Sequence, residues 1–324
     1  MSEIPASDPR LDVGQVAERY GRLRESIGDV IVGQDEAVRL ATITLLCSAH
    51  SLIEGVPGVA KTLLVQSLAA ALDVRFGRVQ FTPDLMPSDI VGTLVLGRDG
   101  ADARFRRGPV FTDLLLADEI NRASAKTQAA LLEAMQERTV TVDGTSHPLG
   151  DDFAVFATQN PVEQEGTYPL PEAELDRFLF KIVMSYPSEA DEVRILARHH
   201  AGPAERAPGR PVVRSGELAA CRAVVTQVIV REEVLAYTAA LVRATRADVR
   251  FALGASPRAA VMLLRAAKAN AVLEGRDFVL PEDVQTMVTP ALRHRVLLDP
   301  GVEVEGLRAD EALERVVQSV PVPR

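Results

Sequence analysis

The sequence predicts a three-layer α/β domain on a mostly parallel sheet, followed by a smaller all-α domain. Three observations carry that expectation. Strand candidates at residues 78–81, 113–117, 153–158 and 178–183 alternate with helical stretches, the rhythm of βα units. The apolar segment Ser51-Leu52-Ile53 leads into the turn Gly55-Val56-Pro57-Gly58-Val59-Ala60-Lys61-Thr62, which opens a helix-like run at residues 63–69. Beyond Tyr186-Pro187-Ser188 the chain reads as helical.

Residues 1–12 are polar and contain proline, and a frayed terminus is expected there. Val13, Val16, Tyr20, Leu23 and Ile27 recur at helical spacing, Ile31-Val32-Gly33-Gln34 breaks the run, and a second amphipathic helix is expected over 35–49. The helix after the glycine turn should end near Leu72. Leu114-Leu115-Leu116-Ala117 is apolar on both faces, as a buried parallel strand must be. Asp99-Gly100 and Asp143-Gly144, each beside strand-like residues, signal two hairpins inserted in the core. The α/β domain is thus expected over 13–186 and the helical one over 187–324, with a polar loop at 202–211. Ser256-Pro257 starts a helix as N-cap and first residue, Gly275 suits its C′ position, and Pro281-Glu282-Asp283 opens another helix.

Composition narrows the class. A chain of 324 residues, 47% hydrophobic and 25% charged, has the make-up of a globular protein with room for two cores. It contains no apolar run of membrane-spanning length and no basic-then-apolar leader, so a cytoplasmic location is expected. A net charge of −9 argues against non-specific nucleic-acid binding. Cys47 and Cys221 lie in apolar helical contexts and are expected to be buried free thiols.

The chemistry concentrates at strand ends. A turn of small residues closed by Lys-Thr suits phosphates, because backbone N–H groups and a helix N-terminus face the oxygens. Lys61 is expected to reach the β- and γ-phosphates of ATP, and the Thr62 hydroxyl to ligate Mg²⁺. Ala60 stands where glycine is usual, which is acceptable if its φ stays negative. Asp118-Glu119 ends an apolar strand, at the edge where open α/β sheets bind ligands. Asp118 is the candidate to position Mg²⁺ through water, and Glu119 to polarise the water attacking the γ-phosphate. Asn160, following the strand at 153–158, can hold that water, although an Asn-Pro turn is the plainer reading of the residue alone.

These motifs together resemble the MoxR family of AAA+ ATPases, over residues 13–322. The match rests on residues 54–62, Leu115-Leu116-Ala117-Asp118-Glu119-Ile120-Asn121-Arg122-Ala123, Ala157-Thr158-Gln159-Asn160-Pro161, residues 170–178 and Gly254-Ala255-Ser256-Pro257-Arg258-Ala259. The resemblance implies that Arg177 is an arginine finger for a neighbouring subunit. It implies that Arg258 is sensor 2, on a lid over its own nucleotide, and that Ile31, Val32 and Gly33 lie beside adenine. The hairpin at Asp99-Gly100 matches the helix 2 insert and that at Asp143-Gly144 the pre-sensor 1 hairpin. The implied protein is a homo-oligomer, a hexameric ring that remodels or matures protein complexes. A von Willebrand factor A domain partner and cofactor insertion belong to the same implication. A magnesium-chelatase-like subunit, a nucleic-acid-dependent motor and a non-hydrolysing ATP-gated scaffold are the alternatives. Arg122 is left open between a place at the subunit interface and a structural salt bridge, and Arg293-His294-Arg295, which also matches the family, receives no physical role from the sequence.

Overall fold

The computed structural model describes residues 11–96, 103–161, 166–200, 211–214 and 216–323. The chain opens with α1 (Val13–Gly28) and α2 (Asp35–Leu46), then β1 (Ser51–Gly55) and α3 (Lys61–Ala71). There follow β2 (Phe76–Gln80), α4 (Pro87–Val91), the hairpin of β3 (Gly92–Leu96) and β4 (Ala103–Arg107), and β5 (Leu114–Asp118). Next come α5 (Ala125–Glu137), a second hairpin of β6 (Thr139–Val142) and β7 (Thr145–Pro148), β8 (Ala154–Gln159), α6 (Glu172–Leu175) and β9 (Phe180–Met184). Each of the four sequence-expected strand runs is a strand, shifted by one or two residues.

The central sheet has the order β2-β5-β8-β1-β9 and every pairing in it is parallel. All five C-terminal ends therefore share one edge. Alternate residues of β5 serve opposite faces. Leu114 and Leu116 pack toward α3, and Leu115 and Ala117 toward α5. Three layers result. Asp12 caps α1, accepting from Gln15 N at 2.7 Å while the Gln15 side chain accepts from Asp12 N, so order begins before the expected boundary.

The two hairpins lie together, with Phe105 stacked on His147 at 4.2 Å between ring centroids. Asp143 and Gly144 both have positive φ, as their two-residue turn requires. The turn at Asp99-Gly100 lies outside the described residues, as do residues 1–10 and most of the loop expected at 202–211.

The second part comprises α7 (Glu189–His200), α8 (Glu217–Gln227), α9 (Glu232–Ala247), β10 (Phe251–Leu253), α10 (Pro257–Leu273), α11 (Pro281–Leu292), β11 (Leu297–Leu298), α12 (Pro300–Val304) and α13 (Ala309–Ser319). The antiparallel ribbon of β10 and β11 departs from the all-helical expectation. The caps hold as read: Ser256 accepts from Ala259 N, and Gly275 follows the C-cap with φ 75°. One hydrophobic cluster runs from α1 (Leu23, Ile27), α2 (Ile43) and α3 (Leu64, Leu68) into Leu241, Leu263, Met287 and Val316 of the later helices. Both cysteines are buried and free, and burial pushes the Cys47 thiol up to about 12.

Candidate active site

β5, β8 and β1 are adjacent in the sheet, so the residues at their C-terminal ends meet. Asp118 ends β5, Thr158 and Asn160 lie at the end of β8, and the turn at 55–62 leaves β1. Asp118 is 8% exposed and Asn160 is 6% exposed. Thr158 Oγ1 donates to Asp118 Oδ1 at 2.6 Å and accepts from Glu119 N at 2.8 Å, fastening β8 to the acidic pair. The side chain of Lys61, first residue of α3, turns back to the Gly55 and Val56 carbonyls.

The turn is shaped by its backbone. Gly58 has φ 89°, open to glycine at little cost. Ala60 has φ 66° and ψ 28°, in the left-handed region, so the negative φ on which its acceptability rested is not what the structure shows. Its methyl is accommodated at the expense of local strain, because Lys61 must enter α3 directly afterwards. Val59 is buried and anchors the turn, while Val56 packs against the same core. Pro57 and Thr62 complete it. Glu119 also adopts the left-handed region, with φ 56°, and residues held in that region cluster at functional sites.

Two residues at the end of β2 were not anticipated. Arg78 donates to Asp118 Oδ2 at 2.7 Å, and Gln80 Nε2 donates to Glu119 Oε2 at 2.6 Å. The available signal was strand adjacency, since Gln80 is the register partner of Asp118. Arg122 pairs with Glu119 Oε2 at 3.2 Å, which gives it a place beside the acid.

Ile31 and Val32 are buried next to Gly33, which abuts Asp191 of α7. Gln34 Nε2 donates to the Ser185 carbonyl, just past the end of β9, so this segment borders the edge carrying the turn.

Arg177 and Arg258 are set elsewhere. Arg177 precedes Leu179, whose N–H donates to the His50 carbonyl at the start of β1, and it lines a cleft with Glu133 and Glu137 of α5. That is the opposite edge of the sheet, about 16 Å from the phosphate turn for a five-residue strand. Ser256, two residues before Arg258, donates to Asp176 Oδ2 at 3.3 Å. Arg258 therefore belongs with Arg177, which departs from its expected place over the phosphate turn of its own chain. Among the described residues neither arginine has a carboxylate within ion-pair distance.

The Arg293-His294-Arg295 cluster joins the two parts of the molecule. Arg293 pairs with Asp310 at 3.0 Å. His294 Nε2 donates to the Phe178 carbonyl, and burial drives its imidazole well below the usual histidine range. Arg295 is buried, and desolvation pushes it down to about 10 while the Asp176 hydrogen bond favours its charged form.

A family model described as the ATPase family associated with various cellular activities matches residues 50–180, and an AAA lid model matches residues 243–316. Chaperone MoxR1 of Mycobacterium tuberculosis is 43% identical over 306 residues, covering 91% of this chain and 80% of its own. This chain belongs to the MoxR family of AAA+ ATPases. YeaC of Bacillus subtilis, itself uncharacterised, is 43% identical over 304 residues and 94% of each chain. The crystal structure of a proposed ATPase from Cytophaga hutchinsonii superposes with a TM-score of 0.88 at 39% identity, covering 95% of this chain and 96% of that one. Among the described residues no helix is long and apolar enough to cross a membrane.

The residues fit ATP and Mg²⁺. The turn between β1 and α3 presents a helix N-terminus, and Asp118 and Thr62 offer one carboxylate and one hydroxyl. No three His, Cys, Asp or Glu side chains converge among the described residues, as an all-protein cage would require. Mg²⁺ on a nucleotide needs no such cage, since phosphates and water complete its shell.

Proposed function

We propose that this MoxR-family protein hydrolyses ATP in a ring of identical subunits, most simply a hexamer, and uses the cycle to remodel other proteins in the cytoplasm. The observation that carries the reading is the division of the site between two edges of one sheet. The phosphate turn, Asp118, Glu119 and Asn160 gather at the C-terminal edge, whereas Arg177 lies at the other. A second subunit must supply the arginine if both are to meet one nucleotide. Arg258, tied to the Arg177 side through Ser256, acts on that neighbouring nucleotide as well.

Lys61 holds the phosphates once it leaves the Gly55 and Val56 carbonyls. Thr62 and Asp118 would hold Mg²⁺, which when bound would supply positive charge to the phosphate oxygens. Asn160 orients the attacking water and Glu119 accepts its proton. Gln80 and Arg122 both donate to Glu119 Oε2, so these contacts loosen before that oxygen takes a proton. Remodelling of protein complexes is in keeping with the relative named a chaperone, and the proposal includes a von Willebrand factor A domain partner and cofactor insertion.

Lys61→Ala should lose most ATP affinity, because a charge-assisted contact to the phosphates disappears. Glu119→Gln should retain affinity and lose turnover by about 10²-fold or more. Equilibrium nucleotide binding and phosphate release decide the matter. A Glu119→Gln protein that turns over ATP at the wild-type rate removes Glu119 from the chemistry.

A further inference from the structure

Asp176 is gripped from two sides. Arg295 Nε donates to its Oδ1 at 2.7 Å and Arg295 Nη2 to its main-chain carbonyl at 2.9 Å, while Ser256 Oγ donates to its Oδ2. The same guanidinium donates to the Phe178 and Leu179 carbonyls. One buried cation thus fastens the backbone on both sides of Arg177, and one carboxylate ties that backbone to the N-terminus of α10. Arg258 sits in the first turn of α10 and close enough to Arg295 for their charges to repel. The Asp176 carboxylate offsets that repulsion. A guanidinium aimed at a phosphate must be placed to a fraction of an ångström, and such placement comes from the groups behind it.

We propose that Asp176, clamped by Arg295, is a positioning residue that sets Arg177 and Arg258 as one unit toward the neighbouring subunit's nucleotide. The inference rests on the reading that Arg177 serves a shared site. The phosphate turn of the subunit that carries Asp176 is not involved, so a defect at Asp176 appears next door.

Asp176→Asn keeps the size of the side chain and an acceptor for Arg295, and removes the charge. Alone it should bind ATP within about threefold of wild type and turn over about 10–100-fold more slowly, the scale of a misplaced catalytic group. Mixing decides where the defect lies. Asp176→Asn subunits retain Glu119 and Glu119→Gln subunits retain a well-placed Arg177, so exchange between them rebuilds complete sites. Phosphate release should peak near equal proportions. Asp176→Asn mixed with Arg177→Ala, or with Arg258→Ala, should gain nothing, because both partners lack the same contribution.

Arg177→Ala mixed with Glu119→Gln is the control, with subunit exchange followed by fluorescence transfer. If the control gains activity and Asp176→Asn with Glu119→Gln does not, Asp176 acts inside its own subunit and the proposal is overturned. A gain on mixing Asp176→Asn with Arg177→Ala overturns it too. A silent control despite exchange removes the shared site itself. Should Asp176→Asn fail to fold, Asp176→Glu, which displaces the carboxylate by one methylene, enters the same mixtures, where the same gains and losses support or overturn the proposal.

Discussion

Ala60 and Glu119 are two non-glycine residues with left-handed backbone, one on each side of the nucleotide site. Holding alanine there costs about 1–2 kcal/mol, and glycine gives back about 0.4–1 kcal/mol through its looser unfolded chain. Ala60→Gly should therefore stabilise the protein by roughly 0.5–1 kcal/mol and leave ATP affinity within a few fold. Urea unfolding measures this, and a clear loss of stability would mean that the left-handed turn carries no strain. The spacing of Gly55, Gly58, Lys61 and Thr62 made the turn readable from sequence, because it is the pattern expected of a phosphate-binding turn. The φ of Ala60 was not readable, since it is set by the entry angle into α3. Arg78 and Gln80 were missed for a related reason. Their roles follow from β2 lying beside β5, and strand adjacency has no signature within a single strand. Arg295 was visible as a charge beside a histidine, but its four-way grip on residues 176–179 spans about 119 positions of sequence.

Helices α10 and α11 are joined by a polar network in which every member has a partner. Asp283 is buried at 2% exposure and accepts from Asn270, from both terminal nitrogens of Arg276 and from Leu280 N. Asn270 Oδ1 in turn accepts from Arg39 of α2, which also pairs with Glu274 at 2.7 Å. Asp283→Ala leaves Arg276 and Asn270 short of acceptors and should destabilise by about 3–5 kcal/mol, while Asp283→Asn loses less. Thermal unfolding tests this, and a loss below about 1 kcal/mol would mean that water replaces the carboxylate without penalty. The Pro281-Glu282-Asp283 start was legible as a helix opening, and Asp283 does bond the Leu280 N–H there. That it also anchors α2 through Asn270 was not. The ribbon of β10 and β11 escaped notice because strands of three and two residues are too short for an alternating pattern. The central strands β5 and β8 were legible because parallel strands buried on both faces are apolar nearly throughout, whereas the edge strand β2, with Arg78 and Gln80, was legible only from its place in the βα rhythm.

Among the described residues, His50 and His294 are buried imidazoles held below the usual histidine range. His50 accepts from Val155 N through Nδ1 and donates from Nε2 to the Met135 carbonyl, and burial pushes it down to about 4. His294 is depressed by burial and by the Arg295 charge. A histidine depressed in the folded state protonates first in the unfolded chain. Its contribution is complete above the ordinary value of 6.5 and is lost as pH falls from there through about 4. His50 alone accounts for on the order of 3 kcal/mol. Urea midpoints should fall steadily between pH 7 and pH 4.5, and His50→Gln should flatten part of that slope. A midpoint constant across the interval would show that the folded chain protonates these rings freely. The continuous cluster from α1 and α2 into α10, α11 and α13 has a consequence for how such chains diverge. The helical part cannot be exchanged between relatives as a cassette cut near Pro187, because its inner surface is moulded on Leu23, Ile27 and Ile43, more than a hundred positions earlier. A chimaera would have to carry α1 and α2 along with the later helices.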